Sequence, residues 1–475
     1  MTMRRLITAD DVIEALRVWH GNETQNWPLA HMRIGLEATR NEEAFSSLAE
    51  GGPAAQNRAV LSWGLALLRS VSPEAEELLR ERFEHRRDVL AVANRLNVSE
   101  SSIYYRQRQA INQLTDILNN LEESSGNNWR ERMINRLDLP SYSKLVGVEE
   151  ARQTLLEALS RNSSHFIISI DGLGGMGKTA LADQVTRDMI DAMQFDEIAW
   201  TTAKQTHLST LGRLKVESGR PSLTFPLLID KLADQFEIPM NSFNSQLQRQ
   251  KITKQYLQER PCLVVIDNLE TVADYRSLLP SLRKWQNPSK FLLTSRFRLL
   301  DEPDVFSISQ KELTLEGAYE LIRLEARRTG FASLADADEG ELKPIYDAVG
   351  GNPLALKLIV GQLKFRSLPR VLSRFDQGGG EQNRDELFEY IYREIWETLH
   401  DESKMTLLAL TQAGATGFTF EHLVNVSGLP ENVVDQSLEK LILLSLVDIG
   451  GNLLERRYRL HRLTEVFLLK MFDEG

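Results

Sequence analysis

One cysteine, Cys262, occurs among 475 residues, so no disulfide framework can form within the chain and a reducing cytoplasm is the expected compartment. Cys262 opens the apolar run CLVVI and reads as a buried core thiol. Nowhere does an apolar stretch approach the roughly 18 residues of a membrane span. The start, MTMRRLITADDVIEAL, has two arginines but no apolar run behind them, so neither an export signal nor a membrane anchor is expected. Positive charge is in deficit, with 56 Lys and Arg against 67 Asp and Glu and a net charge of −11. That excludes a protein that coats nucleic acid with its whole surface and leaves room for a local basic face. No period of about 20 to 50 residues recurs, which excludes repeat arrays.

The length calls for about two to four domains. From residue 8 to about 120, DDVIEALRVW, PLAHMRIGLEA, QNRAVLSWGLALLRSV and PEAEELLRERFE carry apolar residues at helical spacing. The Ser, Gly and Asn cluster in LEESSGNNWRERM then reads as a linker. Beyond it, FIISI, DEIAWTT, PCLVVID, SKFLLTSR and DVFSIS alternate with helical stretches, which predicts a mostly parallel sheet covered on both faces. After about 312 the pattern is helical again, ending in a helical pair and the hairpin-like VDIGGNLLERRYRL. The expected domains are a helical unit over 1–122, a linker over 123–143, an α/β domain over 144–311, a helical domain over 312–380 and a last domain over 381–475.

FIISIDGLGGMGKTALA contains G-x-x-x-x-G-K-T between an apolar strand and a helix, the context a phosphate-binding loop requires. The glycines Gly172, Gly174, Gly175 and Gly177 let backbone N–H groups turn toward phosphate oxygens, and the following helix adds its positive N-terminal end. Lys178 is expected at the β and γ phosphates and the Thr179 hydroxyl on Mg²⁺; Met176 and Ala180 complete the nucleotide-binding set. Asp267, ending VVID, is the second anchor expected for the metal. Asn268 follows where such ATPases usually carry a second acid, and an amide cannot take a proton from water. If the strand continued, alternation would put Glu270 on the side of Asn268, which makes Glu270 the candidate for orienting the water. Slow Mg-dependent ATP turnover, suited to a switch, is the expectation. No nucleophile or metal-ligand cluster appears elsewhere, which argues against an enzyme that processes another substrate.

LVGVEE, GLGGMGKTALA, FDEIAWTT, LVVIDN, KFLLTSR, GGNPLAL and YRLHRL stand in the order of the NB-ARC module, and residues from about 140 to 470 resemble that STAND class of P-loop NTPases. The resemblance implies an α/β P-loop NTPase domain, a helical ARC domain and a C-terminal winged helix. It implies ADP at rest, ATP in an active, self-assembling state, and a homo-oligomer in that state. Arg296 then looks like the arginine that detects the γ-phosphate, Pro353 like the proline that packs on adenine, and His461 like the histidine that latches the ADP form. The chain departs from the pattern at Val148, where an arginine is usual, and at Arg462, where an acid is usual. Members usually continue into ligand-sensing repeats, whereas this sequence stops at LLKMFDEG, so sensing is expected from the N-terminal region or a partner, or the sequence is a piece of a longer chain.

RDVLAVANRLNVSESSIYYRQRQAINQL, in a segment of about 88–118, has the rhythm of a helix-turn-helix and resembles the promoter-reading element of bacterial sigma factors. Ser99 reads as a cap, and Ile103, Ala110, Ile111 and Leu114 share one face. Ser101, Ser102, Tyr105, Arg106, Arg108 and Gln109 make the candidate DNA face, with no acid between Ser101 and Asn112. A similar rhythm near the C-terminus carries Glu431, Asp435 and Glu439 and would repel phosphate. Two readings follow: a nucleotide-switched regulator that binds DNA, or an immune-type signalling receptor whose N-terminal helices recruit a protein effector.

Overall fold

The computed structural model describes residues 6–21, 26–30, 32–35, 52–172, 175–203, 223–238, 245–269, 272–295, 302–375, 392, 396, 399–413, 416–443, 446–452, 455–460, 464–465, 467–468 and 471. Gly174, Glu270, Arg296 and His461 lie outside them. The chain divides into two compact units, Met1–Ile134 and Asn135–Gly475.

In the first unit the described helices are α1 (Ala9–Arg17), α2 (Pro53–Val71), α3 (Pro73–Leu79), α4 (Val89–Leu96) and α5 (Glu100–Asn135), with one π-helical turn at Arg80–Glu84. Thr8 and Asp11 close a reciprocal capping box on α1. Gly64 of α2 lies where a Cβ would come within 2.9 Å of Leu114 and 2.8 Å of Leu118, so the missing side chain lets α2 and α5 approach closely. Leu61, Leu65, Ala110, Ile111, Leu114 and Leu118 bury that contact. A smaller core of Leu78, Val89, Val92, Ala93 and Ile103 holds α4 against α3 and the start of α5. Between them Asn97 takes the left-handed conformation that ends α4, and the Ser99 hydroxyl accepts from the Ser102 N–H.

The linker expected from 123 is corrected here. Ser124, Ser125, Gly126 and the asparagines after them lie inside the 36-residue helix α5. The Glu122 carboxylate accepts from the N–H groups of Arg33 and Ile34, and the Arg33 guanidinium lies 3.9 Å from the centre of the buried Trp129 ring. Burial of Trp129 and Met133 offsets the roughly 1 kcal/mol that a glycine costs inside a helix. Packing therefore overrides composition. Residues 136–144 are held too: Arg136 pairs with Glu197 in a buried contact of 2.5 Å, and Tyr142 donates to Asp183 at 2.7 Å.

The second unit opens with α6 (Glu149–Leu159) and continues through β1 (Ile167–Asp171), α7 (Lys178–Asp191), β2 (Glu197–Thr202), α8 (Phe225–Gln235), α9 (Gln246–Glu259), β3 (Cys262–Leu269), α10 (Val272–Trp285), β4 (Lys290–Ser295) and β5 (Val305–Ser309). The five strands form one parallel sheet in the order β2-β3-β4-β1-β5, as the alternating apolar runs predict. One face packs on α8, α9 and α10; α6 and α7 accompany the other. Strand β4, inserted between β1 and β3, decides the site: it brings Thr294 beside the end of β3.

At the opposite end of β4, Lys290 is almost wholly buried and donates to the carbonyls of Ala158, Ser163 and His165 at 3.1, 2.9 and 2.6 Å. Burial pushes its ammonium down to about 8, and the three carbonyls oppose that shift. Lys290→Met leaves those carbonyls without their donor and is expected to cost about 3 kcal/mol in urea unfolding; an unchanged midpoint would contradict this role.

Five helices follow: α11 (Leu315–Arg328), α12 (Ala332–Ala335), α13 (Glu339–Val349), α14 (Pro353–Leu363) and α15 (Leu368–Phe375), sharing one core. Then come α16 (Asp401–Leu410), α17 (Phe420–Ser427), α18 (Glu431–Leu443) and an antiparallel pair, β6 (Val447–Gly451) and β7 (Arg456–Leu460). Leu354 and Leu358 of α14 reach into this last core. Among the described residues no helix is long and apolar enough to cross a membrane.

Candidate nucleotide-binding site

The loop after β1 takes the backbone that its glycines allow: φ is +145° at Gly172, +78° at Gly175 and +85° at Gly177. Lys178 and Thr179 begin α7, so the free N–H groups of its first turn face the loop. A Cβ built at Gly177 would meet nothing within 4 Å, so that side of the loop is open to a ligand. Lys178 is buried, and its ammonium donates to the Gly172 carbonyl at 2.7 Å, folded over the loop that it would share with phosphates. These residues fit a nucleotide's phosphates in both charge and backbone geometry.

At the neighbouring edge, Thr179 Oγ1 and Thr294 Oγ1 both donate to Asp267 Oδ1, at 2.8 and 2.6 Å. Thr294 Oγ1 also accepts from the Asn268 N–H at 2.8 Å. A hydroxyl and a carboxylate side by side are a hard oxygen set that suits Mg²⁺. Thr294 was not singled out in the sequence. A hydroxyl inside the wholly buried strand KFLLTS was the signal, since a buried polar group needs a partner. Thr294→Val removes one donor from Asp267 and the acceptor of Asn268, and is expected to cost about 1–3 kcal/mol of stability in thermal or urea unfolding. A variant as stable as the wild type would contradict the linking role.

Glu270, proposed by alternation from Asn268, lies outside the described residues, and the strand before it is not a regular ladder. Between Ile266 and Leu269 the register against β4 shifts by one residue, a β-bulge, and Asn268 sits at φ +74°. A bulge interrupts strict alternation through Asp267 and Asn268. The same geometry gives a backbone reason for the amide, because asparagine is among the few non-glycine residues that tolerate the left-handed region.

The GGNPLAL segment sits directly on the loop. A Cβ on Gly175 would lie 2.9 Å from Leu354 Cβ and 3.0 Å from Asn352 Oδ1, and Asn352 Nδ2 lies 3.8 Å from Met176 Sδ. Asn352 also caps α14, its Oδ1 accepting from the N–H groups of Leu354 and Ala355. Pro353 is the first residue of that helix, where a missing N–H costs nothing. Asn352 is a second residue not singled out in the sequence, although Asn before Pro at a helix start is a capping signal.

Residues 148–329 match the sequence model of the NB-ARC domain. The chain carries an NB-ARC domain. Two proteins of Arabidopsis thaliana are similar. "Probable disease resistance RPP8-like protein 2" is 28% identical over 231 residues, 47% of this chain and 23% of that protein. "Disease resistance protein RPP8" is 30% identical over 253 residues, 51% of this chain and 26% of that protein. Among solved structures, a signal transduction ATPase with numerous domains and a tetratricopeptide repeat sensor, from Pyrococcus horikoshii, is similar with a TM-score of 0.43 and 18% identity, over 69% of this chain and 43% of that one. The chain thus spans about a quarter of the length of these plant relatives.

Outside the NB-ARC domain, the residues singled out for DNA lie together at the start of α5. Ser101, Tyr105, Arg106, Arg108 and Gln109 are exposed and Ser102 is half-buried. The Gln109 amide donates to the Tyr105 hydroxyl at 2.9 Å, which ties two of them to each other. Leu96, the last residue of α4, is 37% exposed, and Leu90 and Tyr104 are exposed as well. This surface is therefore more apolar than its arginines alone suggest.

Proposed function

We propose that the chain is a nucleotide-controlled signalling switch of the immune-receptor type. The P-loop and Asp267 hold Mg-ATP or ADP, and the N-terminal helical unit passes the state of the switch to a protein effector or to further copies of the chain. The observation that carries this reading is the contact of Gly175 and Met176 with Asn352 and Leu354, because whatever occupies the loop presses on the start of α14. Since Leu354 and Leu358 also pack in the core of α16–α18 and β6–β7, a shift of α14 reaches the C-terminal helices. In this reading those helices and the hairpin serve as the winged helix, and His461, the residue after β7 in sequence, is the latch on ADP. The plant relatives, named for disease resistance, support the signalling reading. In this reading hydrolysis is slow and resets the switch, with Arg296 sensing the γ-phosphate and Pro353 beside adenine. Hydrogen exchange compared between ADP and a non-hydrolysable ATP analogue tests it: the amides of α14 and β6–β7 change protection with nucleotide, and identical protection would overturn it.

DNA binding by α5 is the second reading, favoured by an exposed face from Ser101 to Asn112 that carries no carboxylate. DNA titrations at two salt concentrations separate the two. A salt-dependent affinity that weakens about 10-fold in Arg108→Ala supports DNA contact, and no binding in either nucleotide state leaves the effector reading alone.

A further inference from the structure

Beneath the P-loop, on the sheet face that packs against α8, α9 and α10, Ser169, Asp171, Ser307 and Ser309 stand where apolar side chains are the rule, and Ser295 of β4, in register with Asp171, donates to the Leu269 carbonyl at 3.1 Å. Register pairs Ser169 of β1 with Ser307 of β5, and Asp171 with Ser309. Alternate residues of a strand share a face, and the preceding pair on this face, Ile167 and Val305, belongs to the inner core. Ser169 is fully buried and Asp171 is 2% exposed. Among the described residues the Asp171 carboxylate receives one hydrogen bond, from Ser309 Oγ to Oδ1 at 2.5 Å. Its other oxygen, Oδ2, and the hydroxyls of Ser169 and Ser307 are buried with no hydrogen-bond partner among the described residues.

A carboxylate at this depth with one neutral donor is poorly compensated, because a buried charge needs an opposite charge or several donors. We propose that Asp171, Ser169 and Ser307 bind a monovalent cation, Na⁺ or K⁺. The donors are all hard oxygens and carry one negative charge between them, which a monovalent ion neutralises. A divalent ion would ordinarily call for further carboxylates, and a water molecule would satisfy the hydroxyls while leaving the charge uncompensated. Ser169 and Ser307 stand on adjacent strands about 4.8 Å apart, close enough for one ion to touch both hydroxyls. Gly172 follows Asp171 directly, and the Gln310 N–H donates to the Asp171 carbonyl at 2.8 Å, so the ion would brace the root of the P-loop. The site stands apart from the nucleotide and is testable without it.

The test is thermal unfolding of the nucleotide-free chain in potassium, sodium and tetramethylammonium chloride at equal ionic strength. The expected result is a midpoint about 2–4 °C higher in the salt of the bound ion than in tetramethylammonium. That difference disappears in Asp171→Asn and shrinks in the pair Ser169→Ala and Ser307→Ala, which keeps the carboxylate and decides the matter if the Asn variant fails to fold. Equal midpoints in all three salts for the wild type would overturn the proposal and leave water as the occupant. A cation effect that survives unchanged in both variants would overturn it too, by placing the ion elsewhere. If potassium gives the higher midpoint, crystals grown with rubidium are expected to show an anomalous peak among the three oxygens, and density there without anomalous signal then contradicts the proposal.

Discussion

Gly351→Ala is expected to destabilise the second unit by about 3 kcal/mol or more. The added Cβ would lie 2.0 Å from the Leu313 carbonyl oxygen and 2.7 Å from the Leu313 nitrogen, and neither is a side-chain tip that can swing away. The same two residues are joined by a hydrogen bond from the Leu313 N–H to the Gly351 carbonyl at 2.9 Å. Relief therefore means parting the strand-to-helix connection from GGNPLAL and disturbing Asn352, the next residue, which caps α14 and touches the P-loop. The neighbouring Gly350→Ala is the control. Gly350 has φ +66°, and its Cβ would meet the Glu312 carboxylate, a flexible group, so the backbone term of about 1–2 kcal/mol dominates there. Urea unfolding of both variants checks the contrast. Equal and small losses would mean that the 312–313 segment yields more easily than its packing indicates.

The second large effect is on binding. Lys178→Ala is expected to weaken ADP and ATP by about 2–4 kcal/mol, roughly 30- to 1000-fold, because it removes a buried ammonium from the position facing the phosphates. The unfolding midpoint without nucleotide should change little, since the ammonium's hydrogen bond to the Gly172 carbonyl ties down a loop rather than the core. Thr179→Ala should weaken nucleotide chiefly when Mg²⁺ is present, because Thr179 acts through the oxygen pair with Asp267. Titration with a fluorescent nucleotide, with and without Mg²⁺, reads both. A Lys178→Ala protein that binds like the wild type would remove the P-loop from the switch.

The five strands and their parallel order were legible because each is an apolar run of strand length in a chain that alternates with helices. The phosphate loop was legible because its function needs fixed residue types at fixed spacing. Other features were not. The bulge at Asp267 and Asn268 depends on a cross-strand partner, Thr294, that lies 27 residues away from Asp267 in sequence, and period-of-two reading assumes an unbroken ladder. The helical course of Ser124 to Asn128 depends on packing along α5 that local composition does not carry. Asn352 acts as a cap, which is a local signal, and as a neighbour of Met176, which only the fold creates. Asp171 reads as a strand end in the sequence, and its isolation beside Ser169 and Ser307 emerges only once β5 is placed next to β1.

If bound nucleotide sets the state of the whole chain, sedimentation velocity is where it will show. The chain is loaded with Mg-ADP or with a Mg-bound non-hydrolysable ATP analogue, and occupancy is measured in both samples. A compact monomer is expected with ADP and larger assemblies with the analogue, the assemblies being lost in Lys178→Ala. Identical sedimentation in the two fully loaded states would contradict a nucleotide switch.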